Sequence, residues 1–270
     1  MSEDALFERL WDDYVQLNPD ATSIRRLIEN RGERIVNDHI ALRTFDDARV
    51  GLDWLAAPFE RLGYRASGEY DFTAKKLNAR HYEMPSDPND GGWAAPKVFI
   101  SALRLDEFSP DLRRAVSDLL DQASPAPAAN HDDLDLGRPW NVSFETYERL
   151  RAESEYAAWV AAFGFRANHF TVLCNALSTF EDLAALNAFL KTSGFELNGA
   201  GGEIKGSPEA LLEQSSTLAP HVDVEFSDGT HRIPGCYYEF ARRYPGPDGS
   251  LFQGFVAKSA DRIFQSTDRR

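Results

Sequence analysis

One segment of this chain occurs twice, and the recurrence limits the possible folds more than any other feature. Asn37-Asp38-His39-Ile40-Ala41-Leu42-Arg43-Thr44-Phe45 sets a histidine and an arginine into an apolar run, and Ala167-Asn168-His169-Phe170-Thr171-Val172-Leu173 echoes it 130 positions later. Successive side chains of a strand alternate faces, so His39, Ala41 and Arg43 share one face while Ile40 and Leu42 take the other. His169, Thr171 and Leu173 do the same in the echo. Each run leads through a polar turn into an amphipathic helix closed by glycine, at Leu62-Gly63-Tyr64 and Ser193-Gly194-Phe195. The pattern predicts an internal duplication.

Around the first copy, apolar positions Leu6, Phe7, Leu10, Trp11, Tyr14 and Leu17 form a helical stripe capped by Ser2 and ended by Asn18-Pro19. A second short helix occupies about 21–30. The opening strand, about 34–45, is followed by a helix carrying Leu52, Leu55, Phe59 and Leu62, then strands at about 64–72, 76–84 and 97–103. That order reads β-α-β-β-β. Ser109-Pro110-Asp111 starts a helical insert with proline at the first helical position. The insert is broken by Ser124-Pro125-Ala126-Pro127, passes an acidic loop at Asn130–Asp135, and ends in a helix from Ser143 to Gly164. The second copy adds a helix over about 179–191 and strands at about 214–219, 221–226 and 237–243, with Asp228-Gly229 and Pro234-Gly235 as turns. The predicted architecture is α+β: two fused βαβββ half-units whose strands line one curved mixed sheet, with N-terminal helices and a helical insert. As a single compact domain of residues 1–270 it divides into N-terminal helices (1–33), a first half (34–105), the insert (106–165), a second half (166–245) and a C-terminal packing segment (246–270), in which Phe252, Phe255 and Phe264 pack across the sheet.

Charge narrows the partners. The formal net charge of −14 repels phosphate backbones and anionic lipid, so nucleic acid and membrane surfaces are excluded as partners. An anionic small substrate would then need a local cationic pocket, for which Arg43 is the candidate. Met1-Ser2-Glu3-Asp4 lacks the basic start of a signal peptide and no apolar run reaches the ~20 residues of a membrane span; the expected location is cytoplasmic. The two cysteines, Cys174 and Cys236, lack CxxC spacing and read as reduced, with Cys174 on the strand face opposite His169.

The run Cys236-Tyr237-Tyr238-Glu239-Phe240-Ala241 places a carboxylate among aromatic and apolar neighbours. An unpaired buried charge costs several kcal/mol, so Glu239 calls for a cation, a metal or a proton. If the first strands of both halves and the last strand of the second line one sheet, His39, His169 and Glu239 converge. Two histidines and a carboxylate form a facial triad suited to Fe(II), with positions left for a chelating substrate and dioxygen. Other readings stand beside this one: each histidine alone is an ordinary core residue, and Glu239 can pair with Arg242, Arg243 or Arg43. His221 and Asp223 form an H-x-D pair whose third ligand would be His231. His81 reads as a hydrogen-bonded side chain. Gln214-Ser215-Ser216-Thr217 is an edge strand or a set of donors to a substrate oxygen, with Gln214 the first choice. Asn198-Gly199-Ala200-Gly201-Gly202 lacks the ending of a phosphate loop and reads as a hairpin loop. No G-x-S-x-G elbow supports a serine nucleophile.

The runs N-D-H-I-A-L-R-T-F (37–45), N-H-F-T-V (168–172), G-G-E-I-K-G-S-P-E (201–209), L-E-Q-S-S-T-L-A (212–219) and Y-Y-E-F-A-R-R (237–243) together resemble the 2-oxoadipate dioxygenase/decarboxylase (hydroxyglutarate synthase) family of the vicinal oxygen chelate superfamily. The resemblance extends from the first helix to Ile263–Thr267. It implies paired βαβββ units of vicinal-oxygen-chelate type, Fe(II) held by His39, His169 and Glu239, and Arg43 on a substrate carboxylate. The implied reaction is oxidative decarboxylation with hydroxylation of a small 2-oxo acid by dioxygen, as from 2-oxoadipate to 2-hydroxyglutarate in lysine breakdown. Many members of that family are longer, so the resemblance implies an acidic 2-oxo acid without fixing its length. A non-oxidative metal-dependent isomerase, lyase or hydrolase is the competing class, and a fourth protein ligand, His221 first, would favour it. A binding protein without catalysis is the third.

Overall fold

In the computed structural model, which describes residues 2–85, 95–123, 137–256 and 267, the two copies of the repeated segment are strands β1 (Asn37–Phe45) and β5 (Ala167–Leu173). Two helices precede β1. The predicted stripe forms α1 (Glu3–Leu17), with Leu6, Leu10, Tyr14 and Leu17 buried and Ala5 N donating to Ser2 Oγ; α2 (Pro19–Glu29) begins at Pro19, where the missing N–H costs nothing.

After β1 come α3 (Leu52–Arg61), β2 (Arg65–Phe72), β3 (Leu77–Glu83) and β4 (Lys97–Leu103), antiparallel from β2 to β4. After an insert of α4 (Pro110–Ala123), α5 (Phe144–Glu153) and α6 (Glu155–Phe163), β5 leads to α7 (Leu183–Thr192), β6 (Lys205–Ser207), β7 (Leu212–Ser216), the pair β8 (His221–Phe226) and β9 (Gly229–Pro234), and β10 (Tyr237–Arg243). Both half-units are therefore β-α-β-β-β, and the fold is α+β. The repeat is visible in the helix ends: Gly63 (φ +106°) and Gly194 (φ +93°) hold left-handed conformations, while Tyr64 N donates to Phe59 O and Phe195 N to Leu190 O. Both are six-to-one closures that glycine adopts without Cβ strain.

Two compact units emerge, one of residues 1–13, 41–168 and 222–233, the other of residues 14–40, 169–221 and 234–270. Strands of the first follow the order β2-β3-β4-β1, and those of the second β1-β5-β10-β7-β6, with β1 passing from the second unit to the first after Ile40. β10 lies parallel to β5 and antiparallel to β7, so the sheet is mixed.

Several expected elements change. The third strand of the second half is not His221–Phe226, because the Asp228-Gly229 turn folds β8 onto β9 as a separate two-stranded sheet. Its place is taken by β6, only three residues long and interrupted by Gly206 at φ +85°, a run too short and too glycine-rich to read as a strand. The predicted helix from Ser143 to Gly164 is two helices, since Ser154 is extended and its side chain accepts from Ala157 N, capping α6. β5 stops at Leu173, and Cys174 starts a 3-10 turn in which Asn175 bonds both the N–H and the carbonyl of Arg243. Both cysteines are buried and unbridged. The Ser124–Pro127 break, the acidic loop at 130–135 and Phe264 lie outside the described residues. Among those described, no helix is long and apolar enough to cross a membrane.

Candidate metal centre

The second unit gathers polar side chains in its interior. Register sets the frame: β10 places Tyr237 beside His169 and Glu239 beside Thr171 on β5, and on its other flank Glu239 beside Ser216 and Ala241 beside Gln214 on β7. Strand alternation then carries His169, Thr171, Tyr237, Glu239, Gln214 and Ser216 to one face. β1 adds His39. His39, His169 and Glu239 are 2%, 4% and 1% exposed, and one ligand atom of each lies within 4.8 Å of the others. His39 Nε2 is 3.6 Å from Glu239 Oε1, and His169 Nε2 is 3.4 Å from Glu239 Oε2. The two imidazoles stand nearly perpendicular, at 84°, with centroids 5.5 Å apart.

Each donor is held from behind. Asp38 Oδ1 lies 2.7 Å from His39 Nδ1, so the imidazole donates from Nδ1 and turns the lone pair of Nε2 toward the centre, where Thr171 Oγ1 lies 3.2 Å away. His169 stacks on Tyr237 at 4.5 Å. Gln214 Nε2 donates to Glu239 Oε1 at 2.6 Å, while Oε2 accepts no hydrogen bond among the described residues. Phe255 closes over His39 edge to face at 4.8 Å.

Electrostatics separates the two carboxyls. Burial pushes the Glu239 carboxyl up to about 8, against the hydrogen bond from Gln214. Burial acts on Asp38 in the same sense, but the Arg243 guanidinium overrides it, with help from His39, and holds that carboxyl well below the usual range. Asp38 is thus an ionised anchor for an imidazole N–H, and Glu239 is a carboxyl short of positive charge. A divalent cation between the three donors would supply it. Donor types, burial and spacing all fit such an ion.

Arg43 belongs to the other unit. It is 1% exposed, with Nη1 3.6 Å from Glu155 Oε1 and its guanidinium 4.9 Å and 5.0 Å from the rings of Tyr156 and Trp159. The break before α6 is what brings these three partners to it. His221, Asp223 and His231 are absent from the converging group among the described residues. His81 is hydrogen-bonded, accepting from Tyr70 Oη at 2.9 Å and donating to Glu83 Oε1 at 2.8 Å.

Sequence reasoning missed Asp38 and Arg243 as a pair. Neighbours on a strand face opposite ways, which hides the bond from Asp38 to His39, and Arg243 reads from the sequence only as one of three alternative partners for Glu239, beside Arg242 and Arg43. Its actual partner is Asp38, through two bonds of 2.7 and 2.8 Å. A buried-looking aspartate beside a candidate ligand histidine was the available signal.

A buried cluster of two histidines and a carboxylate, set on the strands of two βαβββ half-units, defines a candidate metal centre in an α+β fold. The family model for 2-oxoadipate dioxygenase/decarboxylase matches residues 6–135 and 136–249. The rice (Oryza sativa subsp. japonica) chloroplastic/amyloplastic 2-oxoadipate dioxygenase/decarboxylase is 34% identical over 277 residues, 94% of this chain and 75% of that protein. A crystal structure of hydroxyglutarate synthase from Oryza sativa in complex with 2-oxoadipate matches with TM-score 0.88 and 33% identity, over 97% of this chain and 91% of that one. A Shewanella frigidimarina NCIMB 400 protein provisionally named a hydrolase is 52% identical, with TM-score 0.85 over 94% and 97%. A Ralstonia eutropha JMP134 protein provisionally placed in the glyoxalase superfamily shares the fold alone, at TM-score 0.73 and 21% identity over 93% and 84%. The chain belongs to the 2-oxoadipate dioxygenase/decarboxylase family.

Proposed function

We propose that this chain is an Fe(II)-dependent dioxygenase that decarboxylates and hydroxylates a 2-oxo dicarboxylic acid, with conversion of 2-oxoadipate to 2-hydroxyglutarate in lysine breakdown as its reaction and the cytoplasm as its location. The observation that carries this reading is the convergence of His39, His169 and Glu239 within 4.8 Å in a buried site. His39, His169 and Glu239 would hold Fe(II), which would supply binding of a chelating 2-oxo acid and activation of dioxygen. The rice structure contains 2-oxoadipate, which supports that substrate class. Balance supports it too: one 2-oxoadipate and one dioxygen give one carbon dioxide and one 2-hydroxyglutarate, with one oxygen atom in the new carboxylate and one in the hydroxyl. No separate co-substrate is required.

The chain's own residues take defined parts. Asp38 keeps the proton of His39 on Nδ1, leaving Nε2 as donor. Gln214 occupies Glu239 Oε1 and directs Oε2 inward; it also offers a donor near a bound oxo acid. Phe255 and Tyr237 line the imidazoles with rings, limiting water. Arg43, four residues beyond His39 in β1, takes the far carboxylate of the substrate, replacing its approach to Glu155 with a charge-assisted pair. Arg43→Met should raise KM for dicarboxylic oxo acids about 10- to 100-fold and change monocarboxylic ones little, as steady-state kinetics with both would read.

A fourth protein ligand would favour the competing non-oxidative class, and the group among the described residues holds three, without His221. Oxygen uptake decides the matter. Protein purified without oxygen, loaded with Fe(II) and given 2-oxoadipate should consume dioxygen and release carbon dioxide and hydroxy acid one to one. Tight Fe(II) binding with no uptake on any 2-oxo acid would overturn the oxygenase.

A further inference from the structure

We propose that Arg243 is a positioning residue for the metal centre, aiming His39 through Asp38 while fastening to it the segment 252–255, whose Phe255 packs against the same imidazole. The inference rests on the reading of His39 as a metal ligand. Its geometry is contained in one unit. Arg243 Nε donates to Asp38 Oδ2 at 2.7 Å and Nη2 to Asp38 Oδ1 at 2.8 Å, a two-pronged grip that fixes the plane of the carboxylate. The same Oδ1 receives His39 Nδ1–H at 2.7 Å. On the opposite side, Arg243 Nη1 donates to the carbonyls of Phe252 at 2.9 Å and Gly254 at 2.8 Å. The next residue, Phe255, sets its ring 4.8 Å from His39 at 88° and 5.3 Å from the Arg243 guanidinium.

These contacts close a ring: His39, Asp38, Arg243, the 252–254 backbone, Phe255, and His39 again. Only a planar guanidinium with donors on two edges can grip a carboxylate and two carbonyls together; an ammonium supplies the charge without the fork. Asn175 clamps the Arg243 backbone through its N–H and its carbonyl, so the fork has a fixed root. The side chains of Arg243 and Asp38 are both 0% exposed, so water does not substitute for a lost bond. Movement of residues 252–255 and the aim of a ligand imidazole are therefore one coupled event. Metal binding should order the segment, and releasing the segment should weaken the metal.

Co(II) serves as the probe, with affinity from competition against a chelator, geometry from its visible spectrum, and the segment from the rate at which a non-specific protease removes it. In the full-length parent, Co(II) should slow that cleavage. Arg243→Lys and Asp38→Asn should each weaken Co(II) about 10- to 100-fold, the range for partners behind a ligand histidine, alter the spectrum, and abolish the protection by Co(II). Because they break one ring, the double variant should be little weaker than either single one. Folded Arg243→Lys with parental affinity, spectrum and protection would overturn the proposal, as would losses that multiply in the double variant. Should Arg243→Lys fail to fold, Asp38→Asn and Phe255→Leu carry the test, and unchanged affinity and protection in both overturn it. A parent that binds no Co(II) overturns the metal reading itself, whereas a parent that binds, with indifferent variants, overturns only the role of Arg243.

Discussion

At the scale of single residues, the centre is a set of donors whose environments differ sharply over a few ångströms. Asp38 is held ionised by Arg243, while Glu239, equally buried, has a neutral amide from Gln214 as its hydrogen-bond donor. In the proposed reading, Glu239 therefore serves a cation more than the metal-free fold. Glu239→Gln keeps the shape and removes the charge, so the metal-free variant should melt within about 2 °C of the parent, a change under about 1 kcal/mol for a chain of this size. Its metal retention should be lost. Calorimetry of both proteins with and without Fe(II) would check this, and a large fall in the metal-free midpoint would make Glu239 a structural residue instead. A second carboxyl obeys opposite rules. Burial acts to raise Glu83, but hydrogen bonds from His81 and Lys97 prevail and bring it down to about 2 from an ordinary 4.5. A depressed carboxyl contributes stability above its unfolded value, here lost as pH falls from about 4.5 toward 2. With the side chain 25% exposed, the loss amounts to about 2 kcal/mol, and Glu83→Gln should flatten that part of the acid unfolding curve. What sequence showed at this scale was the identity of isolated polar residues in apolar runs. Their partners were hidden, because Asp38 reaches a neighbour it should face away from and Arg243 is contributed from 205 positions away.

At the scale of elements, the duplication is carried by a strand, a helix and a helix ending. Gly63 and Gly194 occupy equivalent positions with positive φ and the same pair of closing bonds. A Cβ at Gly194 meets nothing within 4 Å, so Gly194→Ala isolates backbone strain from packing. It should cost about 1 kcal/mol, with Gly194→Asn costing less, since asparagine tolerates the left-handed region better. Chemical denaturation would measure both, and a neutral Gly194→Ala would deny that this closure stabilises α7. Long periodic elements were legible for the same reason that these glycines were: local pattern determines them. β6 was not legible, because three residues around a left-handed glycine carry no strand signal; β8 was legible as a strand at its observed bounds, but a six-residue run cannot reveal which neighbour it will pair with. The division of α5 from α6 was signalled only by Ser154. A serine in a helical pattern reads as a tolerated surface residue until its side chain is seen accepting from Ala157 N. That small misreading hid the Glu155, Tyr156 and Trp159 surroundings of Arg43.

At the scale of the whole molecule, charge acts where contacts do not. A net −14 produces a negative field that the proposed anionic substrate would have to cross, while Arg43, 1% exposed and approached by Glu155, would in its proposed role act only at short range. The two effects respond differently to salt. Field over the surface reaches ~30 Å at 0.01 M ionic strength and ~8 Å at 0.15 M, whereas a buried pair is screened far less. Raising salt across that interval should therefore favour capture without weakening the grip. For a dicarboxylic 2-oxo acid, kcat/KM should rise about two- to threefold with kcat unchanged, and a monocarboxylic 2-oxo acid of the same length should gain less. Stopped-flow binding or initial rates over a salt series with a non-chelating electrolyte would read it. A fall in kcat/KM with salt would mean that a local cationic approach outweighs the overall charge, and the acidic surface would then have no part in selecting what reaches the site.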